Sequence, residues 1–262
     1  MLAYNNKLRI KLNKMENKEK YSNKVMCMAV DNLELLLSQP DESVDLIYCD
    51  ILYGTGRNFG DYQDLKPIRS EIESHYIPRI KEMHRILKPT GSIYLQMDTK
   101  INHWIRCIMD DVFGYENFRN EIVWGYSWGG VSKNKYPSKH DHILYYSKTN
   151  KYTYNIQYEN YTTKDKRWHN NNAGKSIRDI WDDIPIINTM SNERVGYATQ
   201  KPKALIERII KASSNEGDTV ADYYLGSGTT AVVCKELNRN FIGCDINPKA
   251  IEITNARLDA VS

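Results

Sequence analysis

The sequence predicts an α/β fold of the Rossmann-like type, with a mostly parallel, doubly wound sheet, and two observations carry this prediction. The first is an apolar strand, Thr219–Asp222, that runs into a turn containing Gly226 and Gly228 and then into a helix. Turns of this kind let the backbone approach a bound nucleoside closely. The second is Ser43–Asp50, a buried-type strand that ends on a carboxylate. Strands that alternate with helices in this way build a parallel sheet.

The order of these two parts is permuted relative to a dinucleotide-binding fold. The strand that follows the glycine turn ends at Asp245, and only a helix-length tail, residues 247–262, comes after it. Most of the sheet must therefore precede the glycine turn. A nicotinamide-dependent dehydrogenase needs most of its sheet downstream of that turn, so the permuted order argues against this class.

The chain opens with a basic arm, predicted to span residues 1–24. It lacks the apolar core of a signal peptide. A solvated arm and a segment that contacts phosphate groups are both consistent with its charge. Its basic residues are Lys7, Arg9, Lys11, Lys14, Lys18, Lys20 and Lys24.

Residues 25–262 are predicted to form the folded domain. A strand ending near Val30, a short helix over 33–38 and the strand ending at Asp50 make a βαβ unit. A polar, glycine-rich loop follows at 54–60. The next predicted elements are a helix over about 76–87 that stops at Pro89-Thr90-Gly91, a strand over 92–96, a helix over 101–112, and two strands close to a hairpin over 121–124 and 142–146.

The periodic pattern breaks down between about residues 148 and 198. Tyr, Asn, Lys, Thr and Trp dominate there, with more aromatic residues than ordinary disorder would have. We interpret this stretch as an inserted segment. Periodicity returns with a helix after Pro202, the strand over 219–222, a helix to about 237, the strand over 240–245 and a last helix.

Composition excludes several classes of protein. The net charge is +3, with 41% hydrophobic and 26% charged residues, and no apolar run approaches the roughly 20 residues that span a bilayer. A soluble, cytoplasmic protein is expected. The five cysteines are scattered and contain no C-x-x-C pair, which predicts reduced, mostly buried thiols. The six histidines show no metal-ligand spacing beyond His140-x-His142, so no metal is predicted.

Four motifs, in this order, resemble the amino-group DNA methyltransferases that use S-adenosylmethionine. They are Asp50-Ile-Leu-Tyr53, which stands where the family has Asp-Pro-Pro-Tyr, then Thr199-Gln-Lys-Pro202, Asp222-Tyr-Tyr-Leu-Gly-Ser-Gly-Thr-Thr230, and the run from Phe241 to Pro248. Their order resembles the β subclass of restriction-modification systems. The resemblance implies a methyltransferase fold and makes residues 148–198 a target-recognition segment.

The resemblance assigns the catalytic roles to Asp50, Ile51 and Tyr53. Methyl transfer from a sulfonium to an amine depends mainly on holding the reacting atoms in line. Asp50 and the Ile51 carbonyl are suited to accept hydrogen bonds from an exocyclic amine. Tyr53 offers an aromatic face to a base extruded from the duplex. N6 of adenine is the preferred target, because family members that methylate cytosine N4 more often begin the motif with Ser.

The resemblance also assigns the cofactor site. Asp245 is placed for the ribose hydroxyls, Asp31 for the adenine amino group and Tyr224 for the adenine ring. Asp31 is equally well explained as a helix N-cap. The complete predicted set for S-adenosylmethionine is Asp31, Asp50, Thr199, Lys201, Asp222, Tyr224, Gly226, Ser227, Gly228, Thr229, Thr230 and Asp245.

Double-stranded DNA is the implied partner, with a cognate restriction endonuclease and a homodimer as further implied partners. Cytosine N4 and RNA adenine are the alternative acceptors. Predicted DNA contacts come from the loop after Tyr53 and from the basic, aromatic stretch that begins near residue 133. They are Arg57, Asn58, Lys133, Lys135, Lys139, Lys166 and Arg167.

The departure at Ile51-Leu52 leaves two readings open. Where the family has two prolines, this chain has two residues with backbone N–H groups. If these N–H groups have no hydrogen-bond partner, the loop is less rigid than a loop with two prolines. On that basis, restoring proline is expected to keep or raise turnover. If the loop has re-formed around the two amides, proline should instead lose activity or stability. A catalytically silent nucleic-acid-binding relative is the alternative function.

Overall fold

The computed structural model describes residues 24–58, 63–127, 130–161 and 174–261, and every structural statement below concerns these residues. The arm up to residue 23, Lys166 and Arg167 lie outside them. The strands are β1 (Val25–Ala29), β2 (Val44–Asp50), β3 (Leu87–Met97), β4 (Phe118–Gly125), β5 (His140–Ser147), β6 (Tyr158–Glu159), β7 (Lys175–Ser176), β8 (Ile180–Trp181), β9 (Thr219–Asp222) and β10 (Asn240–Asp245). The α-helices are α1 (Asn32–Ser38), α2 (Arg69–Ile86), α3 (Asn102–Phe113), α4 (Lys203–Ser213), α5 (Thr229–Glu236) and α6 (Pro248–Asp259).

Eight of the described strands form one sheet, in the order β1-β10-β9-β2-β3-β5-β4-β8. All neighbouring pairs are parallel except β3 with β5 and β5 with β4, so β5 is the strand that runs against its neighbours. The strands β6 and β7 pair separately. The predicted mostly parallel sheet is confirmed.

Helices cover both faces of the sheet, as a doubly wound fold requires. Leu35 of α1, Ile72 of α2 and Ile105 of α3 belong to one buried cluster. Ile206 of α4 and Ala231 of α5 belong to the other. In α4 the buried residues recur at spacings of three and four, which is the helical period that turns one face towards a sheet.

The sheet brings five polar side chains into one row. In parallel strands the carboxyl ends share an edge, and β1, β10, β9, β2 and β3 are consecutive neighbours. Ligands bind outside this edge in open α/β sheets. The residues at or just past these five ends are Asp31, Asp245, Asp222, Asp50 and Gln96.

The predicted start of α2 and the predicted start of β3 are wrong, whereas the predicted end of α2 is within one residue. The helix begins at Arg69 rather than near Tyr76, and it contains Pro78. Its first two turns are mostly polar, so the apolar period becomes visible only later. The strand β3 begins at Leu87 and runs through Pro89, where a turn was expected. Pairing with β2 outweighs the local turn signal there.

Part of the 148–198 segment belongs to the main sheet. The strand β8 pairs in parallel with β4, and Trp181 is buried. The indole of Trp124 donates to the carbonyl of Ile184 at 2.8 Å. These contacts anchor the middle of the segment to the sheet edge. Its role in target recognition stays a prediction.

All five cysteines are free thiols. Three of them are buried, while Cys27 is half-buried and Cys107 is exposed, so burial is less complete than expected. No helix in the described ranges is long and apolar enough to cross a membrane.

Candidate active site

A cavity of about 710 Å³ lies outside the carboxyl edge of the sheet. The glycine turn after β9 lines one end of it, and the segment after β2 lines the other. It therefore connects the predicted cofactor residues with the predicted catalytic residues. Of those predicted residues, the ones that line it are Asp31, Asp50, Ile51, Tyr53, Thr199, Lys201, Asp222, Tyr224, Gly226, Ser227, Thr229, Thr230 and Asp245.

The glycine turn is held by carboxylates from two strands. Gly226 has a φ of +53°, and its amide donates to Asp245 Oδ2 at 2.9 Å. Asp222 accepts from the Tyr224 amide at 3.0 Å and from Thr230 Oγ1 at 2.6 Å. Burial raises the pKa of Asp222 to about 7, against the opposing effect of these hydrogen bonds. Asp222 therefore braces the turn as well as lining the cavity.

Gly228 serves the fold rather than the cavity, which corrects the placement expected for it. It does not line the cavity. Its φ is +76°, and a Cβ added there would lie 2.3 Å from Thr254 Oγ1 in α6. Only glycine tolerates this conformation together with this approach of a neighbouring helix.

An arginine from α6 forms hydrogen bonds to the same turn. Arg257 Nη1 donates to the Ser227 carbonyl at 2.7 Å and to Thr229 Oγ1 at 3.1 Å. Burial lowers the pKa of this guanidinium. Arg257 lies in an ordinary amphipathic helix, so this contact could not be predicted from the sequence.

Asp31 caps a helix and also lines the cavity, while its role towards the adenine amino group stays a prediction. Its carboxylate caps α1 by accepting from the Leu33 amide at 2.8 Å, and it also lines the cavity. Arg79 of α2 donates to Asp31 at 3.2 Å and to the Asn32 side chain at 2.5 Å. The acidic group therefore reaches the cavity while an arginine fixes its position.

Tyr223 and Tyr224 point to different places. Tyr223 is fully buried, and its hydroxyl contacts the side-chain amide of Gln39 at 2.8 Å, which gives it a structural role that the sequence did not reveal. Tyr224 lines the cavity, and its hydroxyl lies 3.1 Å from His75 Nε2. Burial and the nearby Arg79 lower the pKa of His75 to about 4, so this imidazole is neutral at pH 7.

Asp50 forms a close ion pair with Lys201. The two charged groups lie 2.5 Å apart, with 17% and 13% of their side chains exposed. Burial raises the pKa of Asp50, whereas the charge and hydrogen bond of Lys201 lower it. Lys201 belongs to the predicted cofactor set, and the structure places its ammonium against Asp50, the predicted catalytic carboxylate.

A second carboxylate, Asp141, stands beside Asp50, and the sequence did not predict it. The hydroxyl of Tyr53 lies 2.8 Å from Asp50 Oδ1 and 2.8 Å from Asp141 Oδ2. Asp141 also accepts from Gln96 at 2.9 Å and from the Tyr126 hydroxyl at 3.1 Å. It lies near the start of β5, which runs against its neighbours, so its amino end meets the carboxyl ends of the parallel strands.

The first amide of the Ile51-Leu52 pair has a partner. The Ile51 N–H donates to the Gln96 carbonyl at 3.0 Å, which extends the pairing of β2 with β3 by one bond. The Ile51 side chain is buried. The Leu52 carbonyl accepts from the Tyr76 hydroxyl at 2.9 Å. These contacts favour a loop that has re-formed around Ile51, rather than one that is merely loosened.

Asp64 orders the loop that follows Tyr53. It is almost fully buried and accepts from the amides of Gly54, Thr55 and Leu65 at 3.1, 2.7 and 2.8 Å. The Thr55 hydroxyl donates to it at 2.5 Å. A carboxylate with several N–H donors is well satisfied when buried. Nothing in the sequence of the loop indicates this partner, which lies ten residues after Gly54.

Four of the predicted DNA contacts are exposed and lie in loops of the described chain. Arg57 and Asn58 follow Tyr53, and Lys133 and Lys135 lie between β4 and β5. Lys139 is half-buried and donates to the Ser127 carbonyl at 3.0 Å. Among the described residues, no group of three metal-ligating side chains is found.

Comparison with known proteins shows the family. A family model described as DNA methylase matches residues 44–256. The chain is 37% identical over 233 residues to the type II methyltransferase M.HpaI of Haemophilus parainfluenzae, with 88% of this chain and 71% of that protein covered. It is 35% identical over 246 residues to the DNA adenine methyltransferase YhdJ of Escherichia coli K12, with 88% and 82% covered.

Solved structures show the same fold at lower identity. The cytosine-N4-specific PvuII DNA methyltransferase superposes with a TM-score of 0.64 at 19% identity, covering 93% of this chain and 97% of that one. A complex of M1.HpyAVI with S-adenosylmethionine gives 0.61 at 19% identity, covering 90% and 99%. The match over most of the chain shows that this protein belongs to the DNA methylase family of amino-group methyltransferases.

Proposed function

We propose that this chain transfers a methyl group from S-adenosylmethionine to N6 of adenine in duplex DNA. The observation that carries the proposal is the placement of Asp50 and Tyr53 at one end of a single cavity whose other end is the glycine turn. A nucleoside cofactor and an extruded base can meet in such a cavity. The two ends supply binding and chemistry respectively.

The residues at the glycine end fit S-adenosylmethionine. The bound cofactor supplies an electrophilic methyl group carried on a sulfonium sulfur. Gly226 brings backbone close to the cavity, and Asp245 lies beside it as an acceptor for ribose hydroxyls. Asp31 and Tyr224 line the part suited to the adenine ring. Thr199, Ser227, Thr229 and Thr230 supply polar groups for the methionine end.

At the other end, Asp50 is proposed to accept a hydrogen bond from the exocyclic amine. The lone pair of this amine is delocalised into the base, and an acceptor on its N–H helps to localise it on nitrogen. The Ile51 carbonyl is the proposed second acceptor. The charge and hydrogen bond of Lys201 oppose the rise in the Asp50 pKa that burial causes, and the Tyr53 ring is the proposed stacking face for the base.

Adenine is favoured over cytosine as the acceptor. The motif begins with Asp50, as in family members that act on adenine. The relative from Escherichia coli is named as an adenine methyltransferase, whereas the cytosine-specific PvuII structure shares only the fold with this chain. Both bases present an exocyclic amine, so the choice depends on the shape of the base site.

DNA contacts are proposed for the exposed Arg57, Asn58, Lys133 and Lys135, together with Lys139. Phosphate contacts from such residues position a duplex without reading its sequence. Lys166 and Arg167 belong to the same proposal. A cognate restriction endonuclease, a homodimer and a cytoplasmic location follow from the family resemblance and stay predictions.

The test is a product analysis. The purified protein is incubated with S-adenosylmethionine labelled in its methyl group and with unmethylated genomic DNA, and the digested nucleosides are identified by mass spectrometry. N6-methyladenine in DNA is the expected product. N4-methylcytosine would overturn the choice of base, and transfer only to RNA in a parallel incubation would overturn the substrate. The absence of transfer to either nucleic acid would show a silent relative.

A matched pair of variants ties the product to the site. Asp50→Ala removes the carboxylate at the cavity end of β2, and Asp45→Ala removes one from the opposite half of the same strand, where it pairs with Lys88 at 2.8 Å. Only the first is expected to abolish the product.

A further inference from the structure

The hydroxyl of Tyr53 lies between two buried carboxylates. It is 2.8 Å from Asp50 Oδ1 and 2.8 Å from Asp141 Oδ2. A phenol has one proton, so it can donate to only one of them at a time. The other contact is a hydrogen bond only when a carboxyl proton is donated to the phenolic oxygen. The position of a single proton therefore couples Asp50 to Asp141.

The carboxylate of Asp141 is held by hydrogen bonds from several donors. Its side chain is 4% exposed and has two further donors, the Gln96 amide at 2.9 Å and the Tyr126 hydroxyl at 3.1 Å. Hydrogen bonds to a carboxylate stabilise its charge. Gln96 is fixed in turn, because its Oε1 accepts from the Tyr48 hydroxyl at 2.7 Å. With these donors in place, Asp141 is held as an acceptor for the Tyr53 hydroxyl. When Asp50 is ionised, the hydroxyl can donate to it, and when Asp50 is a neutral carboxyl, it donates to the phenolic oxygen while the Tyr53 proton lies towards Asp141.

We infer that Asp141 is a positioning residue for methyl transfer. It acts through the Tyr53 hydroxyl, whose oxygen can then accept a hydrogen bond from Asp50 once Asp50 has taken up a proton. The inference deepens the proposed function and rests on it. Transfer forms the N–C bond and breaks the C–S bond, whose electron pair leaves with sulfur, and the alkylated nitrogen then sheds one proton. Asp50 takes that proton and, as a neutral carboxyl, donates to the Tyr53 oxygen.

Several titratable groups face Asp50 and influence its pKa, and besides those described next they include Cys49 of β2 and Tyr126, just after β4. Lys201, from the segment before α4, lowers its pKa, and so does the hydrogen bond from Tyr53. Asp141 of β5 raises it. Asp222 of β9 and Tyr48 of β2 also interact with it. Removing the Asp141 charge should therefore lower the pKa of Asp50 and leave the Tyr53 proton free to move to Asp50.

The test is a double-mutant cycle of Asp141→Asn and Tyr53→Phe. Asp141→Asn should lower kcat about tenfold or more, as misplacement of a reacting group does, with affinity for S-adenosylmethionine changed less than about twofold. In the Tyr53→Phe background, which keeps the ring, the same change should cost less than about twofold, because the linking hydroxyl is gone. An equal cost in both backgrounds, or a normal kcat in Asp141→Asn, would overturn the inference.

A titration measures the coupling without any turnover. Carbon NMR of protein labelled at the aspartate carboxyls should show the pKa of Asp50 falling in Asp141→Asn, and the acidic limb of kcat should move to lower pH with it. An unchanged Asp50 titration would reject the coupling. The matched control is Asp110→Asn, which also removes a carboxylate that accepts from a tyrosine, Tyr146 at 2.5 Å, but outside the cavity.

These readouts separate the inference from the proposed function. If the wild-type protein methylates cytosine, the choice of adenine fails, and the cycle is run on that substrate. If it methylates nothing, the proposed function fails, and the Asp50 titration alone decides whether Asp141 is coupled to it.

Discussion

The two ends of the cavity are built in different ways. At the glycine end, most of the groups that hold the turn come from Asp222–Thr230 and from the neighbouring strand end at Asp245, and Arg257 of α6 adds a further contact. At the catalytic end, the Asp50 carboxylate is surrounded by Tyr53, by Lys201, which is 151 residues away, and, through Tyr53, by Asp141. The first end is a local motif, and the second is assembled by the sheet.

This difference explains what a sequence can show of each end. A glycine turn requires particular residues at fixed spacings, because its φ angles and close contacts are local. Two carboxylates from different strands meet at the sheet edge whenever the strand register aligns them, and this requires no particular residues beside them in the sequence. Asp141 carries no local signal, since it lies inside an alternating strand like any other polar residue.

The largest expected effect is a loss of turnover without a comparable loss of cofactor affinity, which distinguishes the catalytic end from the glycine end. Asp50→Ala should lower kcat by about 10³-fold or more, because it removes an acceptor that acts mainly in the transition state. Affinity for S-adenosylmethionine should change only a few-fold, since the glycine end is untouched. Single-turnover kinetics and calorimetry measure the two quantities. Near-normal turnover would mean that Asp50 is not catalytic.

A pair of glycine substitutions tests whether the local motif serves the fold or the cofactor. Gly228→Ala should cost about 2–4 kcal/mol of unfolding free energy, because it combines a left-handed φ with a clash against Thr254. Gly226→Ala should cost less stability, since its Cβ would meet only the Tyr197 ring at 3.3 Å, but it should weaken cofactor binding more.

Urea unfolding and calorimetry on both glycine variants decide between the two roles. The reverse pattern, in which Gly228→Ala is stable and Gly226→Ala binds the cofactor normally, would contradict the distinction. Thr254→Ala in the Gly228→Ala background should recover part of the lost stability, because it removes two of the three nearest atoms.

Most of the sheet could be predicted because its strands and helices are periodic and follow the alternation of an α/β fold. The start of α2 was missed because its first turns are polar, whereas at β3 the pairing with β2 outweighed the local turn signal at Pro89. For the site, all but one of the predicted catalytic and cofactor residues line the cavity, but Asp141, Asp64 and Arg257 were missed. Asp141 and Arg257 make their contacts between elements that are separate along the chain, and Asp64 closes a loop on itself.

The Ile51-Leu52 pair tests how firmly the sheet fixes the catalytic end. Ile51→Pro removes the N–H that donates to the Gln96 carbonyl, so it should cost about 1–3 kcal/mol of unfolding free energy and lower turnover. Leu52→Pro is the matched control, because within the described ranges the Leu52 amide has no hydrogen-bond partner. Its cost should be smaller. Urea unfolding measures both costs, and equal stability of the two variants would show that the extra bond of β2 contributes nothing.

The smallest expected effect concerns the pH dependence of the catalytic end. The positive charge and hydrogen bond of Lys201 lower the pKa of Asp50, which burial raises. Lys201→Met removes both lowering contributions, so the Asp50 pKa must rise, and a larger fraction of the protein carries a protonated Asp50 at any given pH. A protonated Asp50 cannot accept a hydrogen bond from the amine, so the acidic limb of kcat should move to higher pH, with a several-fold loss of kcat at neutral pH.

Lys203→Met is the control, since this neighbouring ammonium pairs with Glu236 at 2.5 Å on the surface. Rate profiles from pH 5 to 9 for both variants measure the shift, and a limb that stays in place in Lys201→Met would mean that the ion pair with Asp50 has no influence on turnover.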